Sequence, residues 1–301
     1  MKKVVITGAN GFIGSRLTGF MANNGVRVIA LDIAENNLPR DDRISFYKTD
    51  LRDRASVAEL PVEPADALFH LAWLGVGAAD RDDYGLQTLN IQCCLNVLEL
   101  ARRTSCGKAV FLGSASEYAA GSGVISGDNP FTPSDAYGAV KAACHILCDT
   151  CAKRRQLPLI WAVPSSVYGP GRDDGGILSY AIKTLLAREK PSFTRLEQQW
   201  DFLYIDDFLN ALYLIGQKGV PGMAYAVGSG DTRRLSEYIL TLRDAIDPAL
   251  PLGIGDLPYK TGVPDNAVFD ISRLRQDTGF VPKISFREGI RDTIGFFKKT
   301  T

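Results

Sequence analysis

The stretch that decides the fold is "KKVVITGANGFIGSRLTGFMANNG", residues 2–25. Its first part is short and rich in β-branched residues, as a buried strand is. Its last part repeats apolar residues at Phe12, Ile13, Leu17, Phe20 and Met21, the spacing of one helix face, before Asn24-Gly25 stops it. Between them stand Gly8, Gly11 and Gly14. Glycines at a strand-to-helix junction let the backbone turn tightly, come close to a pyrophosphate and pack helix on strand. The helix N-terminus adds unpaired amides for the anion. The spacing is G-x-x-G-x-x-G rather than G-x-G-x-x-G, yet its place after a first strand points to a dinucleotide.

The pattern continues outward. "VRVIALD", "RISFYKTD", "ADALFHLA", "GKAVFLGS" and "LPLIWAVPS" read as further strands, with helical patterns over 85–104 and 135–155. Such alternation implies parallel strands joined by right-handed crossovers, hence an α/β fold with a Rossmann-type doubly wound parallel sheet. Beyond "SSVYGPGRDDGG" the alternation is lost: a helix-like 176–189 is followed by a polar stretch, then "WDFLYIDDFLNALYLIGQ" and a tail with prolines at 248, 251, 258, 264 and 282. This predicts a dinucleotide-binding domain over 1–172, to which 200–217 returns, and a smaller C-terminal substrate-binding domain from 173–199 and 218–301.

Composition narrows the partners. The 301 residues are 46% hydrophobic and 23% charged, with 34 basic residues balancing 34 acidic ones and no long run of one sign, so neither nucleic acid nor a membrane surface is indicated. A small molecule is. No apolar run approaches the roughly 20 residues that cross a bilayer, and the N-terminus lacks the long apolar region of a signal peptide, so the chain reads as cytoplasmic. The six cysteines read as free thiols. Cys148 and Cys151 form a C-x-x-C beside His145, but no second ligand pair follows at metal-site spacing, and thiols packing a helix, with no metal, is the expectation.

Two further features carry chemistry. Asp32 ends the second strand, 18 residues beyond Gly14, where an acid hydrogen-bonds a ribose 2′-hydroxyl and repels a 2′-phosphate. NAD is therefore favoured, while Arg40 and Arg43 keep NADP open. In "YGAVK", 137–141, a phenol and an ammonium stand one helical turn apart, and an ammonium beside a phenol favours the phenolate.

Taken in order, "TGANGFIG" (7–14), Asp32, "TDLRD" (49–53), "HLAW" (70–73), "GSASEY" (113–118), "YGAVK", "SSVYGPG" (165–171) and "DFLYIDDF" (201–208) resemble the extended short-chain dehydrogenase/reductase family of nucleotide-sugar epimerases, dehydratases and ketoreductases. The resemblance implies a catalytic set of Ser114, Tyr137 and Lys141: Tyr137 the acid/base, Lys141 tuning it and holding the nicotinamide ribose, Ser114 orienting the substrate oxygen. It implies pyrophosphate contacts from the amides of Phe12 and Ile13, adenine contacts from Asp50 and Leu51, and further cofactor contacts at Leu71, Ala72 and Pro164. Ser116, Glu117, Ser166 and Tyr168 are implied on the substrate side, and a homodimer through 85–104 and 135–155.

Dehydratases of this kind carry Asp-Glu directly after the Ser/Thr, whereas Ala115 and Ser116 stand here. "GSASEY" and the tail from Leu257 look more like reductases of nucleotide-linked 4-keto-6-deoxyhexoses, with a sugar 4-epimerase as the alternative and a non-catalytic dinucleotide sensor as the reading of another class. A sensor predicts a broken Ser/Tyr/Lys set. Two departures touch the substrate end: Trp200 occupies the place of an Arg that meets the diphosphate, and Ser166 that of an Asn. Arg172, Arg195 and Lys260 are the candidates to replace the lost cation.

Overall fold

A computed structural model of the chain describes residues 1–61, 63–119, 123–173, 175–259 and 266–300; Lys260 lies outside them. Strand β1 (Lys3–Thr7) leads to α1 (Phe12–Asn23), followed by β2 (Arg27–Asp32), β3 (Ile44–Lys48), α2 (Arg54–Ala58), β4 (Ala67–His70), α3 (Tyr84–Arg103), β5 (Ala109–Leu112), α4 (Ala136–Arg155) and β6 (Leu159–Pro164). Then come α5 (Ile177–Leu186), α6 (Ile205–Lys218), β7 (Ala224–Val227), α7 (Leu235–Ile246), α8 (Ser272–Thr278) and α9 (Phe286–Thr300). These seven strands form one parallel sheet in the order β7-β6-β5-β4-β1-β2-β3. Chain order reverses between β1 and β4, which opens a crevice at the carboxyl ends of those two strands.

The doubly wound sheet expected from the alternation is what forms, and burial explains it. Every residue of β4 is buried and β1 is buried from Val4 to Thr7, the continuous apolar pattern of strands covered on both faces. Phe69 and Phe111 are fully buried, and truncating either to Ala would cost about 3–5 kcal/mol. Strand β3, at the edge, is largely exposed.

Helix α6 packs on α1, β4 and β5. At their contact a Cβ on Gly216 would stand 2.7 Å from the Phe69 ring. The sheet also reaches further than expected: β7 pairs with β6, from Ala224 opposite Trp161 to Val227 opposite Pro164, although 218–301 was assigned to the smaller portion. "AYAV" is too short to show a period of its own, and its partner is distant in sequence. Helices α5, α7 and α9 pack on one another beside the sheet, accompanied by short ladders such as Gln199–Trp200 with Arg233–Arg234.

Candidate active site

The glycine turn sits at the reversal point. Gly8 has φ +68°, and a Cβ there would lie 2.5 Å from the amide nitrogen of Ala72, so the turn rests directly on the segment leaving β4. A Cβ on Gly14 would lie 1.9 Å from the carbonyl oxygen of Gly8. Gly11 caps α1 without a side chain, and its N–H donates to the Gly8 carbonyl at 3.1 Å. The first-turn amides of Phe12 and Ile13 thus open the helix with no side-chain cap over them, an arrangement suited to a pyrophosphate. Asp32, half-buried at the end of β2, accepts the Asn10 N–H at 2.9 Å and the Ile33 N–H at 2.7 Å, which fixes its carboxylate beside this turn.

Asp50 and Leu51 are placed differently from each other. The Asp50 carboxylate is held below its usual range by Arg52, 2.6 Å away, whereas Leu51 is buried and its carbonyl accepts from Asn96 at 2.8 Å. Leu71 continues from β4, its N–H donating to Thr7. Pro164 ends β6, half-buried.

On the other side of the crevice stands α4, started by Asp135, whose side chain accepts the Gly138 N–H at 2.7 Å. Tyr137, Lys141 and His145 follow at intervals of four, on one face. Lys141 is only 3% exposed; its ammonium donates to the Leu112 carbonyl at 2.7 Å and rests 3.6 Å from the centroid of the Trp73 ring. That ring meets Tyr137 edge-on at 5.8 Å, and the Lys141 ammonium lies 5.9 Å from the Tyr137 centroid. Gly138 packs so closely that a Cβ would stand 2.3 Å from the Ser116 carbonyl oxygen. Ser114 lies between these two anchor points, Leu112 and Ser116, in the segment that packs on α4. The Ser114 Oγ accepts the Ser116 N–H at 3.2 Å, which leaves its hydroxyl proton for another partner.

Two residues expected on the substrate side are placed elsewhere. Glu117 is fully buried: Oε1 accepts the Ser114 N–H at 2.6 Å and the Trp161 indole at 3.2 Å, and Oε2 accepts from His145 at 3.0 Å. Oε1 thereby ties Glu117 to the backbone of Ser114. Tyr168 is 4% exposed among Phe202, Tyr204 and Phe286, and its hydroxyl donates to the Phe286 carbonyl at 3.3 Å. Burial pushes its phenol up, and it belongs to an aromatic core rather than the crevice. Ser166 accepts from the Trp200 indole at 2.9 Å, and Ser116 accepts from Arg81. Trp200 itself lies in register opposite Arg233, whose guanidinium is paired with Asp231 at 2.5 Å. Arg172 stands near the α1 start instead, 5.8 Å from the Phe12 centroid and donating to the Val167 carbonyl.

Sequence reading missed Arg81, Trp73 and His70 as individual residues of the site. Arg81 reaches Asp135 at 2.9 Å and places its guanidinium carbon 4.4 Å from the centroid of Tyr137. His70 is buried between Thr7 Oγ1 at 2.7 Å and Cys94 Sγ at 3.5 Å; burial, helped by Lys141, lowers its pKa to about 3 and holds it neutral. Trp73 and His70 lie inside "HLAW", but Arg81 follows in a polar stretch with no periodic signal. Cys144 and Cys148 are fully buried in the core, and His145 stacks on Trp161 with centroids 4.4 Å apart. Among the described residues, no group of three or more His, Cys, Asp or Glu could hold a metal, and no helix is long and apolar enough to cross a membrane.

A doubly wound parallel sheet with a glycine turn at its reversal point defines a Rossmann-type dinucleotide-binding architecture. The model of the NAD dependent epimerase/dehydratase family matches residues 4–228, and the chain belongs to that family; it is an enzyme of this NAD-dependent class. It is 29% identical to the UDP-glucose 4-epimerase of Mycolicibacterium smegmatis, with 98% of each chain covered. To the dTDP-glucose 4,6-dehydratase of Escherichia coli it is 27% identical over 98% of this chain and 93% of the relative. Among solved structures, the UDP-N-acetylglucosamine 4-epimerase of Methanobrevibacter ruminantium M1 superposes with a TM-score of 0.90 at 23% identity, covering 100% and 99% of the two chains. The UDP-glucuronic acid 4-epimerase of Bacillus cereus, solved with NAD, gives 0.89 at 23% over 99% and 100%.

Proposed function

We propose that the enzyme reduces the C4 ketone of a nucleotide-linked 4-keto-6-deoxyhexose, with Tyr137 as the acid. The reading is supported by the placement of Tyr137 and Lys141 on one face of α4, with Lys141 held on the Leu112 carbonyl two residues before Ser114 and Gly138 packed on the Ser116 carbonyl two residues after it. The Cβ-excluding turn, the uncapped α1 amides and Asp32 fit a dinucleotide: the amides would meet its pyrophosphate and Asp32 a ribose hydroxyl. Bound there, NADH would supply the hydride.

The protein's part is acid catalysis and charge stabilisation. As negative charge grows on the ketone oxygen, the Tyr137 hydroxyl donates its proton and the free Ser114 proton donates a hydrogen bond. Lys141 uses one of its three N–H donors on Leu112, leaving two for the cofactor ribose and the field around Tyr137. Against dehydration, despite the full-length similarity to the Escherichia coli dehydratase, the turn Ala115–Tyr118 contains one acid, Glu117, and its carboxylate is buried and committed.

A second reading, a nucleotide-sugar 4-epimerase that retains its NAD, is favoured by full-length similarity to the Mycolicibacterium epimerase. The two are separated by following NADH absorbance with a 4-keto-6-deoxy nucleotide sugar. Stoichiometric oxidation supports the reductase. Interconversion of two sugars with no net oxidation moves the assignment to the epimerase. A homodimer through α3 and α4 is supported by the exposed Tyr84 and Leu89 on one and Ile146 and Leu147 on the other.

A further inference from the structure

We infer that Arg81 is a positioning residue for Tyr137, locking the ring and the first turn of its helix to the segment that follows β4. The inference rests on Tyr137 being the acid of the proposed reaction. Four contacts converge on one residue. The Arg81 carbonyl accepts the Tyr137 N–H at 2.9 Å, its Nε donates to Asp135 at 2.9 Å, its Nη2 donates to Ser116 Oγ, and its guanidinium covers the Tyr137 ring at 4.4 Å. The neighbouring Asp82 accepts the Ala136 N–H at 3.3 Å.

The first-turn amides of a helix have no partner within it. In α4 three of them are satisfied at Asp82, Arg81 and Asp135, two of these from the segment after β4. That segment also carries Trp73, which touches Tyr137 and supports the Lys141 ammonium. A guanidinium has a flat face to stack and a planar fork to donate from; Arg81 uses the face on Tyr137 and the fork on Asp135 and Ser116. Since Ser116 lies two residues beyond Ser114, one side chain ties the acid, its helix cap and the turn that bears the orienting serine. Trp73 still meets the ring at 5.8 Å and the Lys141 ammonium still lies 5.9 Å from its centroid, so removal of Arg81 loosens the ring without removing the site.

The test compares the full-length wild type with R81M and R81K. NADH binding is measured by fluorescence, turnover with a 4-keto-6-deoxy nucleotide sugar, and the ring environment by fluorine NMR of meta-fluorotyrosine placed at position 137. Expected for R81M are a kcat lower by about 10- to 100-fold, the scale for a displaced catalytic group, NADH affinity within about twofold, and a shifted or broadened fluorine resonance. R81K, which keeps the charge and loses the plane, recovers part of the rate. A kcat and a resonance unchanged in R81M overturn the inference. So does a rise in KM with kcat intact, which places Arg81 on the substrate, or a joint loss of NADH binding and thermal stability, which makes it structural. Should the wild type turn over no such sugar, the proposed function fails and the fluorine resonance alone decides the role of Arg81.

Discussion

Gly14 lies so close to Gly8 that the turn between strand and helix has no room for one extra carbon: the missing Cβ would fall 1.9 Å from the Gly8 carbonyl oxygen. G14A must therefore push α1 away from the turn. Strain of this kind costs about 1–3 kcal/mol or more. Expected are a lower Tm in a thermal melt and loss of NADH binding in a fluorescence titration. A variant that binds NADH like the wild type would disprove the phosphate-binding role of this turn.

Y137F removes one hydroxyl from a ring whose packing against Trp73 and Arg81 is otherwise kept. The expected result is a kcat lower by about 10²- to 10⁴-fold, as for loss of a general acid, with Tm and NADH affinity preserved. Unchanged turnover would remove Tyr137 from the mechanism.

The role proposed for Asp32, whose carboxylate is held at the end of β2, is to set the nucleotide preference. D32S should raise NADPH affinity relative to NADH by about tenfold, the loss of one charge repulsion of roughly 1.4 kcal/mol. Titration of both cofactors checks it, and a wild type that prefers NADPH contradicts it.

His70 makes stability depend on pH. Its folded pKa, about 3, is depressed below the ordinary 6.5, so between those values the unfolded chain binds the extra proton and the folded chain does not. Stability therefore falls as pH drops through this window and its contribution is flat above it. Buried Asp201, raised by burial, acts in the opposite direction, so the comparison is made between proteins. H70N should flatten the fall in Tm between about pH 6.5 and 4 relative to the wild type. Parallel Tm profiles would show that the imidazole does not titrate in this way.

The exposed apolar residues of α3 and α4 predict a self-association surface. L89E combined with I146K should give a monomer by light scattering where the wild type gives a dimer, with the melt retained. A monomeric wild type would refute the dimer.

Much of this architecture was legible because its signals are local. Strand, glycine turn and helix follow one another within residues 2–25, and Tyr137 and Lys141 share a helix face by spacing alone. What was hidden depends on contacts across the chain. Strand β7 is four residues long and is defined by its partner, Leu159–Pro164. Glu117 looks like a crevice acid beside Ser114 until Trp161 and His145, 44 and 28 residues away, are seen to occupy its oxygens. Tyr168 lies in a polar-looking "SSVYGPG" but its hydroxyl is matched by Phe286, 118 residues on. Arg81 gains its place through Asp135, 54 residues later, together with Ser116 and Tyr137.

The helical face shared by Tyr137, Lys141 and His145 has a consequence for how this enzyme can diverge. Each residue advances a helix by about 100°, so deleting or inserting one between Ala136 and His145 would swing the phenol, the ammonium or the imidazole away from its neighbours together. Homologues that keep the reaction can exchange side chains along this segment but not change its length; their insertions and deletions should gather outside it.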